Sequence, residues 1–508
     1  MKFVVNDMKF FEPRASASIG LSLRRTLVRF VRYAAMGTTK TRRTRSVTKL
    51  LCSFVPSCLR GSKTLAVSCL LLIFTSCSAQ TFTHRSAQAW KKEVPKILQR
   101  IQPPVFRSAT ITINSAENFR QHVQSAIDSL SAAGGGTVRI EAGSYTSNGP
   151  LHLKSGINLH IAKGAFIRFS TNPAHYLPLV KTRWEGTVCY NYSPLVYAIG
   201  QSNIALTGEG TLDGQADQFW HAWKKQPDGN DQEKDKKILR DAGRDGVPED
   251  RRRFGEGHKL RPSLVQFYEC SNILIEELTL RQSPFWTVHP VFCKNLTVRK
   301  LTIRKGTTND DGIDPDSCED VLIEDCDIDT DDDPIAIKAG RDNDAWTRPG
   351  TKNIVIRNIR GRSRVGNGFC IGSEMSGGVQ NVFVENYRIS KADNGINIKS
   401  NLDRGGTVQN IYLRNITVDS AVRTGILMQK DYHSYRGGKA PSTYQNIFLD
   451  SITINHVERK GMRIVGVPER SISRLWMDGV LIKKQGEEDE VKLVKDFFLN
   501  GRGYMTVK

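Results

Sequence analysis

One phrase recurs along this chain and constrains its fold more than anything else in it: a short apolar run opened by Asn or Asp, followed by alternating β-branched residues. Its copies are INLHI (157), NIALTG (203), NILIEELTL (272), NLTVRKLTI (295), DVLIEDCDI (320), NIVIRNI (353), NVFVENYRI (381), NIYLRNITV (410) and NIFLDSITI (446), with a weaker RLWMDGVLI from Arg474. From Asn272 the successive intervals are 23, 25, 33, 28, 29 and 36 residues. Such a period is too short for a strand–helix–strand unit, and no helical spacing lies between the copies. Each copy therefore predicts one coil of an all-β parallel β-helix. Coils stack about 4.8 Å apart, so residues one period apart share a face. The turn Asn or Asp can bond to its counterparts above and below and build a ladder.

The solenoid needs an end. From about residue 114, Phe119, Val123, Ala126, Ile127 and Leu130 have the spacing of one amphipathic helix, and Gly134 to Gly136 break it into a strand. This reads as an N-terminal capping helix, with a linker over 80–113 and a single solenoid domain over 114–508. The 69 residues from Asn203 to Asn272 exceed the repeat by about one coil. The excess, near 211–262, is charged and contains Trp220 and Trp223; it is either a wall at one end of a cleft or a solvated excursion.

The net charge of +21 suggests nucleic acid until it is located. Residues 1–80 hold 14 Lys and Arg against Asp7 and Glu12, so more than half of the excess lies there. The remainder is mildly basic, which suits an anionic polysaccharide or a solvated surface, and no nucleic-acid motif accompanies it. Lys63, the apolar run LAVSCLLLIFTSC (65–77) and SAQ read as an export signal, too short to span a membrane. Cleavage after Ala79 would release a secreted protein, whereas Cys77 resembles a lipidation site and would give a cell-surface or periplasmic lipoprotein. Residues 1–62 are an overlong leader or reflect an early start, with Met36 as an alternative, so 1–79 is set apart from the fold. Six of the ten cysteines lie beyond the leader. Cys270, Cys293 and Cys318 recur at coil spacing and are expected to be packing thiols rather than a disulfide framework.

Chemistry concentrates in NDDGIDPDSCEDVLIEDCDIDTDDDPIAIKAG, residues 309–340. Asp311 and the pair Asp332 and Asp333 are about one coil apart, so three carboxylates should converge. Like charges at that range raise at least one pKa, leaving one carboxyl protonated as a donor while a neighbour stays ionised to activate water. Glycoside hydrolysis needs that division. Clustered carboxylates also suit calcium, and Asp320, Asp325, Asp327 and Asp329 read as turn residues of the coil corners.

These residues resemble the polygalacturonase family, glycoside hydrolase family 28. NDDGIDPDSC is similar to the family's N-T-D-G-I-D segment, DDDPIAIKAG to D-D-x-I-A-I-K, and GNGFCIGSEMSGGVQNV to G-H-G-I-S-I-G-S with its glycine turn. NGINIKS (394–400) is similar to R-I-K, and QKDYH to Q-D-Y. The match runs in order from about Gly134 to Asp450. The resemblance implies a right-handed, pectin lyase-like β-helix and an inverting hydrolase without metal or other cofactor. Asp332 would be the general acid, with Asp311 and Asp333 holding and activating the water and Asn309 supporting them. Lys399 would meet a substrate carboxylate and Tyr432 would line that subsite.

Two positions depart from the family. Asn367 stands where it has His in G-H-G, and Asn397 where it has Arg in R-I-K. The first has no titratable proton near neutrality; the second lacks the fork that grips a carboxylate. A neutral or differently linked sugar beside the scissile bond, as in rhamnogalacturonan, is one consequence. RPSLVQFYECSNILIEELTLRQSPFWTVHPVFCKN resembles the exo-acting branch, which makes Arg261, Trp286 and His289 pocket candidates; Trp286 and His289 read equally well as packing residues. The expected partner is a pectic polysaccharide or oligosaccharide, and the expected state is a monomer. A calcium-dependent pectate lyase and a non-catalytic glycan-binding solenoid are the alternatives.

Overall fold

The computed structural model describes residues 86–304, 306–432, 437 and 440–507, the last six by backbone only. The expected leader, the cleavage position after Ala79 and Cys77 lie outside them. The chain divides into two units by internal contacts, and residues 86–500 belong to the larger.

Those residues form the parallel β-helix that the repeat predicts. Each phrase supplies a strand pairing in parallel with its counterpart one coil away: Ser202–Thr207 with Ser271–Glu276, then Lys294–Arg299, Glu319–Glu324, Thr351–Ser363, Val379–Lys399, Thr407–Val418, Thr443–Ile454 and Ile472–Asp478. The register is continuous. Ile204, Ile273, Leu296, Val321, Ile354, Val382, Ile411, Ile447 and Leu475 stack as one apolar column, and each is at most 1% exposed. Inward columns of this kind are the core, so the solenoid's stability comes from neighbour-on-neighbour stacking rather than from a central cluster.

The Asn/Asp turn positions do what their chemistry allows. Asn272, Asn295, Asp320, Asn353, Asn381, Asn410 and Asn446 all have φ between 54° and 61°. Asn272 Nδ2 donates to Asn203 Oδ1 at 3.0 Å, Asn295 to Asn272 at 2.7 Å, Asn353 to Asp320 at 2.9 Å and Asn381 to Asn353 at 3.0 Å. Short polar side chains tolerate that left-handed corner, and each amide satisfies the next.

The helix Phe119–Ala132 caps the first coil through the five apolar residues that its spacing predicts, all buried. Residues 86–100, within the stretch expected to be a linker, instead form a helix. Its Trp90, Val94 and Ile97, with Ile101, pack on the outward faces of Leu322, Val355 and Phe383, a 3–4 spacing of apolar residues that reads as amphipathic. The insertion carries the 3-10 turn Trp220–Lys224 and the helix Gln232–Arg244, capped by Asp231. Trp220 and Trp223 are buried among Tyr176, Tyr192 and Phe219, so they anchor the insertion rather than face a sugar. The six described cysteines are free and buried, with Cys270, Cys293 and Cys318 in adjacent coils.

Candidate active site

A second parallel sheet, running through Ala336–Ile337, Asn367–Ile371, the end of Val379–Lys399, Ala421–Gln429 and Val457–Val465, presents its outer face to a cleft. Just before it, Ile313 bridges Ile335 and Asp316 bridges Lys338. That 22-residue offset sets Asp311 beside Asp333. One oxygen from each of Asp311, Asp332 and Asp333 lies within 4.8 Å of the others.

The three carboxyls differ in surroundings and therefore in protonation. Burial, then the adjacent Asp333, pushes Asp332 up to about 7 against the pull of Lys399 and Lys338. Asp333 is buried too, yet Lys399, Lys338 and the Asn367 backbone amide outweigh burial and hold it below the usual range. Its Oδ1 accepts from Asn367 N at 2.6 Å and from Asn367 Nδ2 at 2.7 Å, and its Oδ2 from Lys399 Nζ at 3.1 Å. Asp311 is driven well up by burial and by Asp332 and Asp314, opposed by Lys338 at 3.4 Å. One cluster thus holds a carboxyl biased toward its protonated form and another biased toward its ionised form.

The other expected residues fall into two groups. Asn309, Asn367, Asn397, Lys399 and Tyr432 surround the carboxylates. Asn309 Nδ2 reaches Asp332 Oδ2 at 3.4 Å. Asn367 Oδ1 accepts from Asn394 at 2.9 Å and from Asn397 at 2.8 Å, so both departures from the expected pattern belong to one amide cluster that orients Asp333. Lys399 Nζ sits 5.4 Å from the centre of the Tyr432 ring.

Arg261 differs from expectation, and Trp286 and His289 follow their packing alternative: all three are buried beneath the cleft. Arg261 is 0% exposed and spends its donors on Gln232, Pro284, Thr307 and Thr308, with Nη2 holding Asn309 Oδ1 at 3.0 Å. His289 is enclosed between Gln266 Nε2, 2.8 Å from its Nδ1, and Asp316 Oδ2, 3.4 Å from its Nε2. Trp286 packs its face under Lys338 Nζ, 4.4 Å from the ring centre. Arg261 thus holds Asn309, and Trp286 packs against Lys338.

Several contributors escape the sequence reading. Lys338 bridges Asp311 and Glu374. Glu374 is held far below the usual range, burial notwithstanding, by Arg341 at 2.6 Å, Lys338 at 3.5 Å and Arg404 at 3.5 Å. Lys338 stands in the IAIK segment, where coil arithmetic already places it opposite Asp316; Glu374 follows a loop whose path no spacing foretells. Farther along the cleft, a cavity of about 590 Å³ is lined by Asp332, Asn397, Lys399 and Tyr432 and by the cations Arg423, Arg459, Lys460 and Arg463. Leu427 and Arg463 continue the register of Asn397, one and two coils on.

The family model of glycosyl hydrolases family 28 matches residues 250–499. The chain is 32% identical to a hyperthermoactive exopolygalacturonase from Thermotoga maritima of known structure, which superposes with a TM-score of 0.71 over 82% of this chain and 97% of that one. It is 31% identical to a probable polygalacturonase of Vitis vinifera over 61% of this chain, and spans 60% of that protein's length. An endo-polygalacturonase of Pectobacterium parmentieri is 27% identical over 70% of this chain and 82% of its own.

Proposed function

Because the chain belongs to glycosyl hydrolase family 28, we propose that it hydrolyses the α-linkages of galacturonic-acid-containing pectic polysaccharide or oligosaccharide by an acid/base mechanism. The observation that carries this reading is the split in protonation between two adjacent carboxyls: Asp332 raised to about 7 and Asp333 lowered. Asp332 protonates the departing glycosidic oxygen. Asp333, ionised, takes a proton from the water that attacks the anomeric carbon, and Asp311 orients that water. The bond to the leaving sugar breaks as the water oxygen bonds to carbon, and the two carboxyls finish with their protons exchanged.

Inversion is part of the proposal. Inverting pairs of carboxyl groups stand roughly 6.5–9.5 Å apart; the 4.8 Å here is an approach between single oxygens, one from each carboxyl. Asp311 and Asp333 share the water, so the water can occupy the space between them while Asp332 faces the glycosidic oxygen. The anomer formed first, read by proton NMR, tests it.

Lys399 supplies the charge for a uronate beside the scissile bond, and the cations along the cleft favour an acidic chain. At Asn397 the requirement differs. Its Oδ1 is buried without a hydrogen-bond partner among the described residues, which suits a sugar hydroxyl donor and not a second carboxylate. Exo action is supported by the likeness to the Thermotoga protein and by the insertion, whose Lys224 lies close enough to Asp332 to feel its charge. Product profiles on polygalacturonate and rhamnogalacturonan test both points: monosaccharide release means exo attack, a ladder of oligomers means endo.

Export, with cleavage after Ala79 or lipid attachment at Cys77, and a monomeric working state belong to the same proposal. They rest on the signal-like run 65–77 and on the helix Phe119–Ala132 that caps the solenoid's first coil. Mass spectrometry of the mature protein and light scattering test them.

A further inference from the structure

A second groove runs along the solenoid on residues that the cleft does not share. One side is a ladder of side chains in strict register, Lys294, Glu319, Lys352, Gln380 and Gln409, from five successive strands. At one coil per step it extends roughly 19 Å along the axis, and the groove encloses about 850 Å³. The lining also includes Trp346, 51% exposed and more open than any other tryptophan among the described residues.

Two features mark this as a binding surface. Trp346 is fixed: its Nε1 donates to Arg404 O at 2.7 Å. Gly405, at φ 61°, makes room for it, since a Cβ there would fall 2.8 Å from that nitrogen. An indole held at its polar edge with its body open is a preorganised platform for the C–H face of a sugar ring. The ladder offers amides and ammonium groups, with Gln409 Nε2 donating to Gln380 Oε1 at 3.0 Å. Lys294 and Lys352 both pair with Glu319, and Arg470 adds a further cation to the lining. The surface is long, polar, net basic and carries one aromatic platform.

We propose that this groove binds a stretch of acidic polysaccharide chain, apart from the cleft, and so holds polymer against the protein while the cleft works. The acidic sugar class rests on the function proposed above; the groove itself does not. The test uses the full chain carrying Asp332→Asn, which slows hydrolysis by about 10²- to 10⁴-fold, with affinity electrophoresis in gels containing polygalacturonate or neutral galactan. Trp346→Ala lowers retention by polygalacturonate at least fivefold, and Lys352→Gln lowers it in the same direction. Lys399→Met, acting at the cleft, weakens retention independently, so that its effect multiplies with that of Trp346→Ala. Retention within twofold of the parent for Trp346→Ala overturns the proposal, and stronger retention by galactan overturns the acidic class. A protein that hydrolyses no pectic substrate yet shows Trp346-dependent retention sinks the proposed function and leaves the groove standing.

Discussion

Asp332 and Asp333 are neighbours in sequence, and the backbone N–H of Asp333 donates to Asp332 Oδ1 at 3.0 Å, yet the two side chains favour opposite protonation states. The cause is directional. Asp333 points at Lys399 and the Asn367 amides, while Asp332 Oδ2 meets the neutral amide of Asn309 at 3.4 Å. Adjacent residues on a coil corner diverge, so one doublet holds a carboxyl biased toward its protonated form beside one biased toward its ionised form, as the proposed acid/base pair requires.

Activity should therefore peak on the acid side of neutrality. Asp333 must be ionised, and its pKa lies below the usual 3.8; Asp332 must be protonated, and its pKa is about 7. kcat/KM then rises through the acid limb below about pH 4 and falls through pH 7. A profile flat from pH 5 to 9 contradicts the assignment.

Asp332→Asn should trade activity for stability. Loss of a general acid costs about 10²- to 10⁴-fold in kcat. The sign of the stability effect follows from linkage: the folded state keeps this proton up to pH 7, so ionisation there opposes folding progressively from about pH 4 to pH 7 and fully above it. A three-unit shift corresponds to at most about 4 kcal/mol, less because Asp332 keeps some solvent access. Denaturant melts at pH 8 should show the variant stabilised by about 1–3 kcal/mol, and melts at pH 4 should show little difference.

Asn367→Ala should act through Asp333 without touching sugar. It removes the 2.7 Å bond to Asp333 and leaves the amides of Asn394 and Asn397 without their acceptor. Stranding such groups costs about 1–3 kcal/mol. The expected kinetic mark is an acid limb moved to higher pH, since Asp333 loses a donor to its charged form; a fall in kcat with an unmoved limb contradicts this.

Glu374→Gln tests the support behind the cluster. The carboxylate pairs with Arg341, Lys338 and Arg404, all nearly inaccessible. Removing one member of such a buried network costs about 3–5 kcal/mol, read as a lowered denaturation midpoint with an unchanged slope.

The repeat made the solenoid legible because stacking imposes one period on strand, turn and ladder together, and Asn272 through Asn446 carry all three. The same arithmetic brought Asp311 to Asp333. It failed where side-chain direction decides. Arg261 sits in a coil beside the site but turns into the wall, and its burial is a property of packing rather than spacing. Residues 86–100 have a helical stripe whose partners, Leu322, Val355 and Phe383, lie on outward faces that the strand pattern alone assigns to solvent. Glu374 reaches Lys338 across a loop, and loop paths have no period.

The most direct test of the central claim is a reducing-sugar assay of the protein and its Asp332→Asn variant on polygalacturonate and rhamnogalacturonan at pH 5.5, each with and without chelator. The acid/base mechanism predicts release of saturated product by the parent, indifferent to chelator, and a loss of at least 10²-fold in the variant. Unchanged turnover in a correctly folded variant, or a chelator-sensitive unsaturated product, would contradict it.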